Sequence, residues 1–513
     1  MHSIRLAQAV TFGFVWIAIA SSQTSRPNSN PISQDVPDPE SLLIRSYLKS
    51  KDFTPSDRAL LLNRLAAAAS KLQPPLTKLW SEEAFQVASK LPLDDENRQV
   101  YQANAAVELV TVDPKRAFEV LAMIDPPEPT KEGQSKPMDM RTYAAENVFP
   151  EIWKTDGVPA LDHIRAQAEH IGETGEYPYR AIGKILPDVG KRSQPKAETL
   201  FTEALSYYTK SAPDHDSDRE FALFLSESWG VVPRSLELQA LKVAVAHLNQ
   251  SKNSAKNSAF MARVQTAKGA SEFTELSDEL LYELLPKIRE LDPQWAQELT
   301  EKNDALGKAA TIGDKPKYKE SVVIHNTSGA SPAQVAAAGE AGLERSRLRN
   351  ITDMARSDPE GALRLSAYLA DPTLRSIAVA RIAAAFAEKS PERAEDLIKQ
   401  DKNAVDGIQD KREKVRVLVA LAEAAGAAHD RGTMDESLSH GLDLGEEVLQ
   451  EYLDTHPGAN VYTVDLFREI SKLITLGMRE EPNACLEHIA GLSNPELQAH
   501  LLIDAAQALV RKS

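Results

Sequence analysis

The chain has 513 residues, of which 42% are hydrophobic and 26% charged, and its formal net charge is −16. A chain of this length can bury several cores, or the one continuous core of a helical-repeat array. The acidic balance argues against sequence-independent nucleic-acid binding, which requires clustered Lys and Arg. The single cysteine, Cys485, excludes an internal disulfide and a zinc site built from several thiolates.

Residues 1–22 have the pattern of a secretory signal peptide. Arg5 supplies a positive flank, residues 9–20 are almost wholly apolar, and Ala18-Ile19-Ala20 matches the A-x-A cleavage signal. The apolar run is shorter than a membrane span of about 20 residues, and an uncleaved anchor is the alternative interpretation. Residues 23–40 are rich in Pro, Ser and Asn and predict a disordered linker. We therefore expect an exported protein, periplasmic or extracellular.

The clearest structural element is a pair of helices predicted between Asp358 and Lys389. Asp358-Pro359 and Asp371-Pro372 each place a capping residue before a proline, which the first turn of a helix tolerates. Apolar residues of the second helix recur at helical spacing, at Val379, Ile382, Ala383 and Phe386. The pattern predicts a helix, a tight turn and a second helix, with a third helix starting at Ser390-Pro391.

The same element recurs along the chain. Asp-Pro-x-x-Ala begins at Asp113, Asp292 and Asp358, with looser forms at Ser390 and Glu481. When the chain is displaced so that Asp358 falls on Glu481, several Pro, Leu and Ala positions coincide without gaps. Chance similarity among alanine-rich helices is the alternative, but the shared register favours an internal repeat.

The pattern predicts an all-α protein, an α-solenoid of stacked antiparallel helix pairs in two blocks. The predicted blocks cover residues 41–306 and 332–513, and residues 307–331 are predicted as a linker. Within that linker Ser321-Val322-Val323-Ile324 is a candidate strand, which must pair with another strand or remain a loop. Residues 258–268 are predicted as one of the helices of the first block.

Two stretches resemble known helical repeats. Leu291-Asp292-Pro293, with Ala296, resembles the junction between tetratricopeptide repeats, and residues 369–378 look like the turn and second-helix start of a HEAT repeat. The resemblance is to the broad class of α-solenoids and not to one specific family. It implies a protein or peptide binding surface without intrinsic chemistry.

No stretch carries a recognisable catalytic motif. The eleven histidines lack the spacing of metal ligands. Cys485 aligns with Ala362, a packing position, which favours a buried small residue over a nucleophile. The acidic run 214–218 lacks the glycine and glutamate of a calcium loop, so it predicts a helix start capped by Ser217 or Asp218, with a weak cation site as the alternative. No catalytic, cofactor-binding or metal-binding residue is predicted.

Aromatic residues concentrate in the first predicted block. Tyr177-Pro178-Tyr179 and Tyr207-Tyr208 lie there with four tryptophans, Trp80, Trp153, Trp229 and Trp295. These residues could line a groove for a peptide or glycan. The favoured interpretation is that they fill gaps between irregular helices.

The expected function is that of an exported, non-catalytic helical-repeat scaffold, which binds a protein or peptide on its concave surface. No nucleic-acid partner, no cofactor and no membrane span after signal cleavage are expected. One alternative is an envelope polysaccharide-processing enzyme or glycan-binding protein, which would need a cleft with convergent carboxylates and aromatic residues. The other alternative is a structural spacer without a saturable ligand.

Overall fold

The computed structural model describes residues 37–127, 138–212, 215–251, 258–266, 268–313, 316–325, 332–456 and 459–512. Residues from Pro37 onward form one compact unit. The predicted signal peptide, and the predicted linker up to residue 36, lie outside the described residues. The first helix begins at Pro39, slightly earlier than predicted, because the Asp38 side chain accepts a hydrogen bond from the Ser41 backbone and caps it.

Most of the described residues are helical. Up to residue 312 the elements are α1 Pro39–Lys49, α2 Pro55–Ala69, α3 Pro74–Ala88, α4 Arg98–Val110, α5 Pro114–Leu121, α6 Met140–Asp156, α7 Leu161–Thr174, α8 Tyr179–Arg192, α9 Gln194–Lys210, α10 His215–Glu227, α11 Arg234–Ser251, β1 Ser258–Thr266, β2 Ala270–Phe273, α12 Leu276–Leu291, α13 Pro293–Lys302 and α14 Asp304–Ile312. From residue 316 they are β3 Pro316–His325, α15 Pro332–Ala355, α16 Pro359–Ser366, α17 Pro372–Phe386, α18 Pro391–Val405, α19 Lys411–Ala427, α20 Arg431–Thr455, α21 Asp465–Glu480, α22 Pro482–Gly491 and α23 Pro495–Lys512.

The helices form two layers. Successive helices of the inner layer contact each other, in the order α2, α4, α6, α8, α10, α12 and then α15, α17, α19, α21, α23. Each outer helix packs on an inner one, and among the described outer helices only α9 with α11 and α13 with α14 contact each other closely. Because the inner helices lie closer together, the array curves toward them and the solvent-facing side of the inner layer is concave. The prediction of an all-α solenoid of helix pairs is confirmed.

The recurrent Asp-Pro-x-x-Ala element marks the start of an outer helix. The carboxylates of Asp113, Asp292 and Asp358 each accept a hydrogen bond from the backbone N–H three residues later, at 3.1, 3.0 and 2.8 Å. The alanine of each element, Ala117, Ala296 or Ala362, is buried against the inner layer. Each copy of the sequence element therefore supplies the same two features, a helix cap from its aspartate and a buried contact from its alanine.

The two ends of the described chain meet. Helix α23 takes α1 as its outer partner and also contacts α2, so that the series of helix contacts closes on itself. The Ser46 hydroxyl donates to the Ala499 carbonyl at 2.9 Å. Arg64 lies 2.5 Å from a carboxylate oxygen of Asp504 and 2.8 Å from Nδ1 of His500. Burial lowers the pKa of His500 well below its usual range, and Arg64 adds to that effect.

A three-stranded antiparallel sheet interrupts the helices between α12 and α15. Its strand order is β2-β1-β3, with Ala262 of β1 opposite Phe273 of β2 and Ser321 of β3. The candidate strand in residues 307–331 is thus confirmed as part of β3, and it pairs with β1. Two predictions are wrong. Residues 258–266 form a strand and not a helix, and residues 307–331 hold the end of α14 and strand β3 and not a plain linker.

Candidate functional site

A groove runs across the concave side of α15, α17, α19 and α21. Its cavity volume is about 340 Å³. We call it the basic groove, and its lining residues are Arg345, Leu348, Leu374, Ile377, Arg381, Arg416, Val419, Ala420, Glu423, Asp465, Arg468, Glu469 and Lys472. All of them belong to inner helices, so the groove opens on the concave side.

The cations of the basic groove differ in their partners. Lys472 lies 2.9 Å from Glu469, and Arg416 lies 2.5 Å from Glu413. Arg381 donates only to the Thr352 hydroxyl, at 3.4 Å, and meets no carboxylate within ion-pair distance among the described residues.

Arg345 and Arg468 are the most exposed cations of the groove. Their side chains are open to solvent, and neither forms a hydrogen bond or ion pair with any described residue. The groove therefore presents three guanidinium groups, of Arg345, Arg381 and Arg468, that have no carboxylate of the described residues within ion-pair distance.

The floor of the basic groove is apolar. Leu348, Ile377 and Val419 are 8%, 6% and 2% exposed. Glu423 lies beside this floor, where burial raises the pKa of its carboxyl while Lys472 and Arg381 oppose the shift. A ligand in the groove would contact apolar side chains below and positive charges at the rim.

A second depression lies on the concave side of α6, α8 and α10. Its cavity volume is about 260 Å³. We call it the acidic cleft, and its lining residues are Met138, Thr142, Tyr143, Glu146, Glu176, Tyr177, Pro178, Tyr179, Arg180, Ala181, Asp216, Ser217, Arg219 and Glu220. Four carboxylates and two guanidinium groups therefore line it, the opposite balance to the basic groove.

Within the acidic cleft Arg180 forms an ion pair with a carboxylate. Glu146 lies 3.0 Å from Arg180 and 2.7 Å from Lys184, which stands one turn further along α8. Burial raises the pKa of Glu220 to about 7, and Arg180 opposes this shift. Tyr143 contributes a partly exposed ring, 39% accessible to solvent. The cleft brings together carboxylates and aromatic rings, as the enzyme alternative requires.

The tryptophans do not line either depression. Trp80 and Trp153 are buried, and the Trp153 indole donates to Asp188 at 2.7 Å. Trp229 and Trp295 pack partly buried against the core. The favoured interpretation, that these residues fill gaps between helices, agrees with this packing. Of the aromatic candidates, the segment 177–179 alone reaches the acidic cleft.

The predicted acidic helix start is part of a buried polar network. Helix α10 begins at His215, so Ser217 and Asp218 lie inside its first turn and the predicted cap position is wrong. The Tyr208 hydroxyl donates to Asp218 at 2.6 Å, and Nδ1 of His247 lies 2.9 Å from the same oxygen. Oδ1 of Asp218 is thus bonded to both side chains within the core, which indicates a structural role.

The single cysteine is a packing residue, as predicted. Cys485 is buried, and burial raises the pKa of its thiol to about 11. A Cβ atom at Gly477 would lie 2.3 Å from its sulfur, so α21 and α22 approach closely there. The described residues contain no group of three or more His, Cys, Asp or Glu side chains that could hold a metal ion. Among the described helices, none is long and apolar enough to cross a membrane.

The sequence contains a signal for the basic groove that its individual residues do not reveal. Arg345 and Arg468 are related by the displacement that places Asp358 on Glu481. They occupy equivalent positions of two repeats, on α15 and α21. The helical pattern gives no indication of which face of these helices is concave, so only the packing shows that both guanidinium groups enter one groove.

No protein-family model and no curated protein matches this chain. Among solved structures the chain is similar to one described as a circular tandem repeat protein with novel repeat topology and enhanced subunit contact surfaces. The identity is 12%, the match covers 92% of this chain and 98% of that chain, and the TM-score is 0.18. The fold assignment rests on the helix packing described above.

Proposed function

We propose that the chain is a scaffold that binds a protein or peptide on the concave side of its inner layer. The observation that carries the proposal is that the basic groove and the acidic cleft both open on this side, with no lining residue from an outer helix. Helical-repeat proteins use such extended concave surfaces for binding. Open, shallow depressions suit a polypeptide better than an enclosed small molecule.

Site-specific photo-crosslinking tests this proposal. A benzoylphenylalanine replaces Tyr143 or Leu223, which are partly exposed on α6 and α10 of the inner layer. Matched controls carry it at Leu48 or Leu79, which are exposed on the outer helices α1 and α3. After exposure to fractions of the native host, we expect one protein crosslinked from the inner positions only. Equal crosslinking from outer positions, or none from inner ones, would contradict the proposal.

We also propose that the protein is exported, on the basis of residues 1–22. The positive flank at Arg5, the apolar run and Ala18-Ile19-Ala20 support this proposal. Mass spectrometry of the chain purified from its native host should give a mature N-terminus shortly after Ala20. Recovery of the chain with its N-terminal segment intact from the cytoplasmic fraction would contradict export.

The acidic cleft supports a second candidate, a polysaccharide-processing enzyme. Glu220, with its pKa near 7, could donate a proton at neutral pH, and Glu146 is an ion-paired carboxylate in the same cleft. One proton-donating and one ionised carboxylate is the combination that glycoside hydrolysis uses. Release of reducing sugar from cell-wall polysaccharide, lost in Glu220→Gln, would favour this candidate. If the unmodified chain releases no reducing sugar, the enzyme candidate is contradicted and the scaffold proposal stands.

A further inference from the structure

We propose that the basic groove binds an extended segment of a partner protein in which acidic and apolar residues alternate. This inference rests on the proposed function and names the chemistry of the partner. It uses three observations, which are the unneutralised cations, the apolar floor and the carboxylates between them.

The unneutralised cations provide the charge complementarity. Arg345 and Arg468 stand at the two ends of the groove, on α15 and α21, and Arg381 of α17 lies between them. The chain has 75 acidic and 59 basic residues, so the lack of an ion pair at Arg345 and Arg468 among the described residues is not due to a shortage of carboxylates. The two end positions are equivalent in the internal repeat, and both carry arginine. A guanidinium at such a rim recognises carboxylates by charge-assisted hydrogen bonds.

The apolar floor of the basic groove accounts for the apolar residues of the proposed partner segment. Leu348, Ile377 and Val419 come from three successive inner helices, so apolar contacts recur along the groove. Neighbouring helices lie about 9 Å apart, and an extended chain advances about 3.3 Å per residue. Crossing the groove from α15 to α21 therefore takes about eight residues. Side chains of an extended segment alternate between floor and rim, which matches alternating apolar and acidic residues.

The carboxylates of the groove distinguish a peptide from a uniform polyanion. Glu423, Asp465 and Glu469 lie among the cations. They would repel a chain that carries a phosphate or sulfate at every step. None of the lining residues is aromatic, so the groove also offers no surface on which bases could stack. A peptide can place its acidic residues opposite the arginines and leave apolar or neutral residues opposite the carboxylates.

Fluorescence anisotropy with defined probes tests this inference on the chain from Pro37 onward. The acidic probe is a labelled peptide with Glu-Leu-Asp-Ile repeated three times. The comparison probes are the same peptide with lysine in place of each acidic residue, and a single-stranded oligothymidine of equal length. We expect the acidic probe to bind at least about tenfold more tightly than either comparison probe, with an affinity that falls as salt is raised.

A matched pair of double variants locates the binding. Arg345→Glu with Arg468→Glu reverses two exposed charges in the groove, where we expect at least a tenfold loss of affinity for the acidic probe. Arg364→Glu with Arg393→Glu makes the same charge change at exposed positions of the outer helices α16 and α18, where we expect less than about a twofold change. All four positions are solvent-exposed, and equal thermal midpoints confirm that both double variants are folded.

Three results would overturn the inference. These are failure of the acidic probe to bind, equal loss in both double variants, and tighter binding of the oligothymidine. If crosslinking from the inner positions succeeds while the acidic probe fails, the concave surface remains the binding surface and only the partner chemistry is wrong. If both fail, the proposed function itself is contradicted.

Discussion

The series of helix contacts closes through two junctions that differ in kind. At the helix seam, α1 and α2 pack against α23, and at the strand seam, the β2-β1-β3 sheet lies between α12 and α15. The helix seam depends on buried side chains, since Leu42 and Leu43 are fully buried and the Arg64–Asp504 pair is 13% and 6% exposed. The strand seam depends on backbone pairing as well as on buried side chains such as Val264 and Phe273.

The difference teaches where each junction is vulnerable. Loss of a side chain from the helix seam leaves a cavity or an unpaired buried charge, whereas the strand seam is in addition sensitive to the loss of backbone donors and holds its ion pair at the surface. Four changes test this contrast, and they follow in order of expected effect.

Deletion of α1 should have the largest effect. A chain that starts after Lys49 loses Leu42 and Leu43, and each buried leucine contributes about 2–5 kcal/mol. We expect the free energy of unfolding to fall by more than about 5 kcal/mol relative to a chain that starts at Pro37. Urea titration followed by circular dichroism measures this change. Equal midpoints for the two chains would show that α1 does not close the series.

Arg64→Met should cost about 3–5 kcal/mol, because it leaves the Asp504 carboxylate buried without its partner. The control is Arg263→Met in the strand seam. Arg263 lies 2.8 Å from Glu272, whose side chain is 67% exposed, so we expect a loss below about 1 kcal/mol. Adding Asp504→Asn to Arg64→Met should recover part of the stability. Equal losses at the two seams would contradict the contrast.

Val264→Pro should cost about 3 kcal/mol by breaking the strand seam. Val264 lies in the central strand, opposite Ser271 of β2 and Lys319 of β3, so proline removes a ladder hydrogen bond and crowds the sheet. Val264→Ile is the matched control, since it keeps the backbone donor and a β-branched apolar side chain. Hydrogen exchange of the sheet amides should accelerate in the proline variant only. Unchanged protection would mean that the ladder does not hold this seam.

The smallest expected effect depends on pH at the helix seam. Burial, with a contribution from Asp57, raises the pKa of Glu496 from 4.5 to about 7. The folded chain binds this proton more tightly than the unfolded chain, so stability is lost as the pH rises from 4.5 through 7. Glu496→Gln removes that loss. Near pH 8 the variant should be more stable by about 1 kcal/mol, discounted for partial exposure.

Thermal unfolding across the pH range checks this effect. The difference between Glu496→Gln and the unmodified chain should vanish below about pH 4.5, where the carboxyl is protonated in both states. If the stability difference were the same at all pH values, a change in packing, and not the protonation of Glu496, would be its cause. At the strand seam, we expect the stability difference caused by Arg263→Met to vary little with pH between about 4.5 and 8. A guanidinium group stays charged over this pH range.

The sequence predicted those parts of the fold whose causes are local. Asp358-Pro359 and Asp371-Pro372 cap helices with their own side chains and fix where α16 and α17 begin. The sheet shows a missed local signal. Phe260, Ala262 and Val264 are buried while Met261 and Arg263 between them are partly exposed, a period of two that the helix prediction overlooked.

The sequence by itself determined the helical class and the caps, because each follows from residues within a few turns of one another. It also predicted the packing role of Cys485, through the alignment of this residue with Ala362 in the internal repeat. Only the tertiary structure decided that α1 completes the last helix pair, since the apolar side of α1 does not specify a partner more than 400 residues away along the chain. It likewise decided that Arg345, Arg381 and Arg468 share one groove. Their helices are far apart in sequence, and the side that becomes concave is set by how all the inner helices pack.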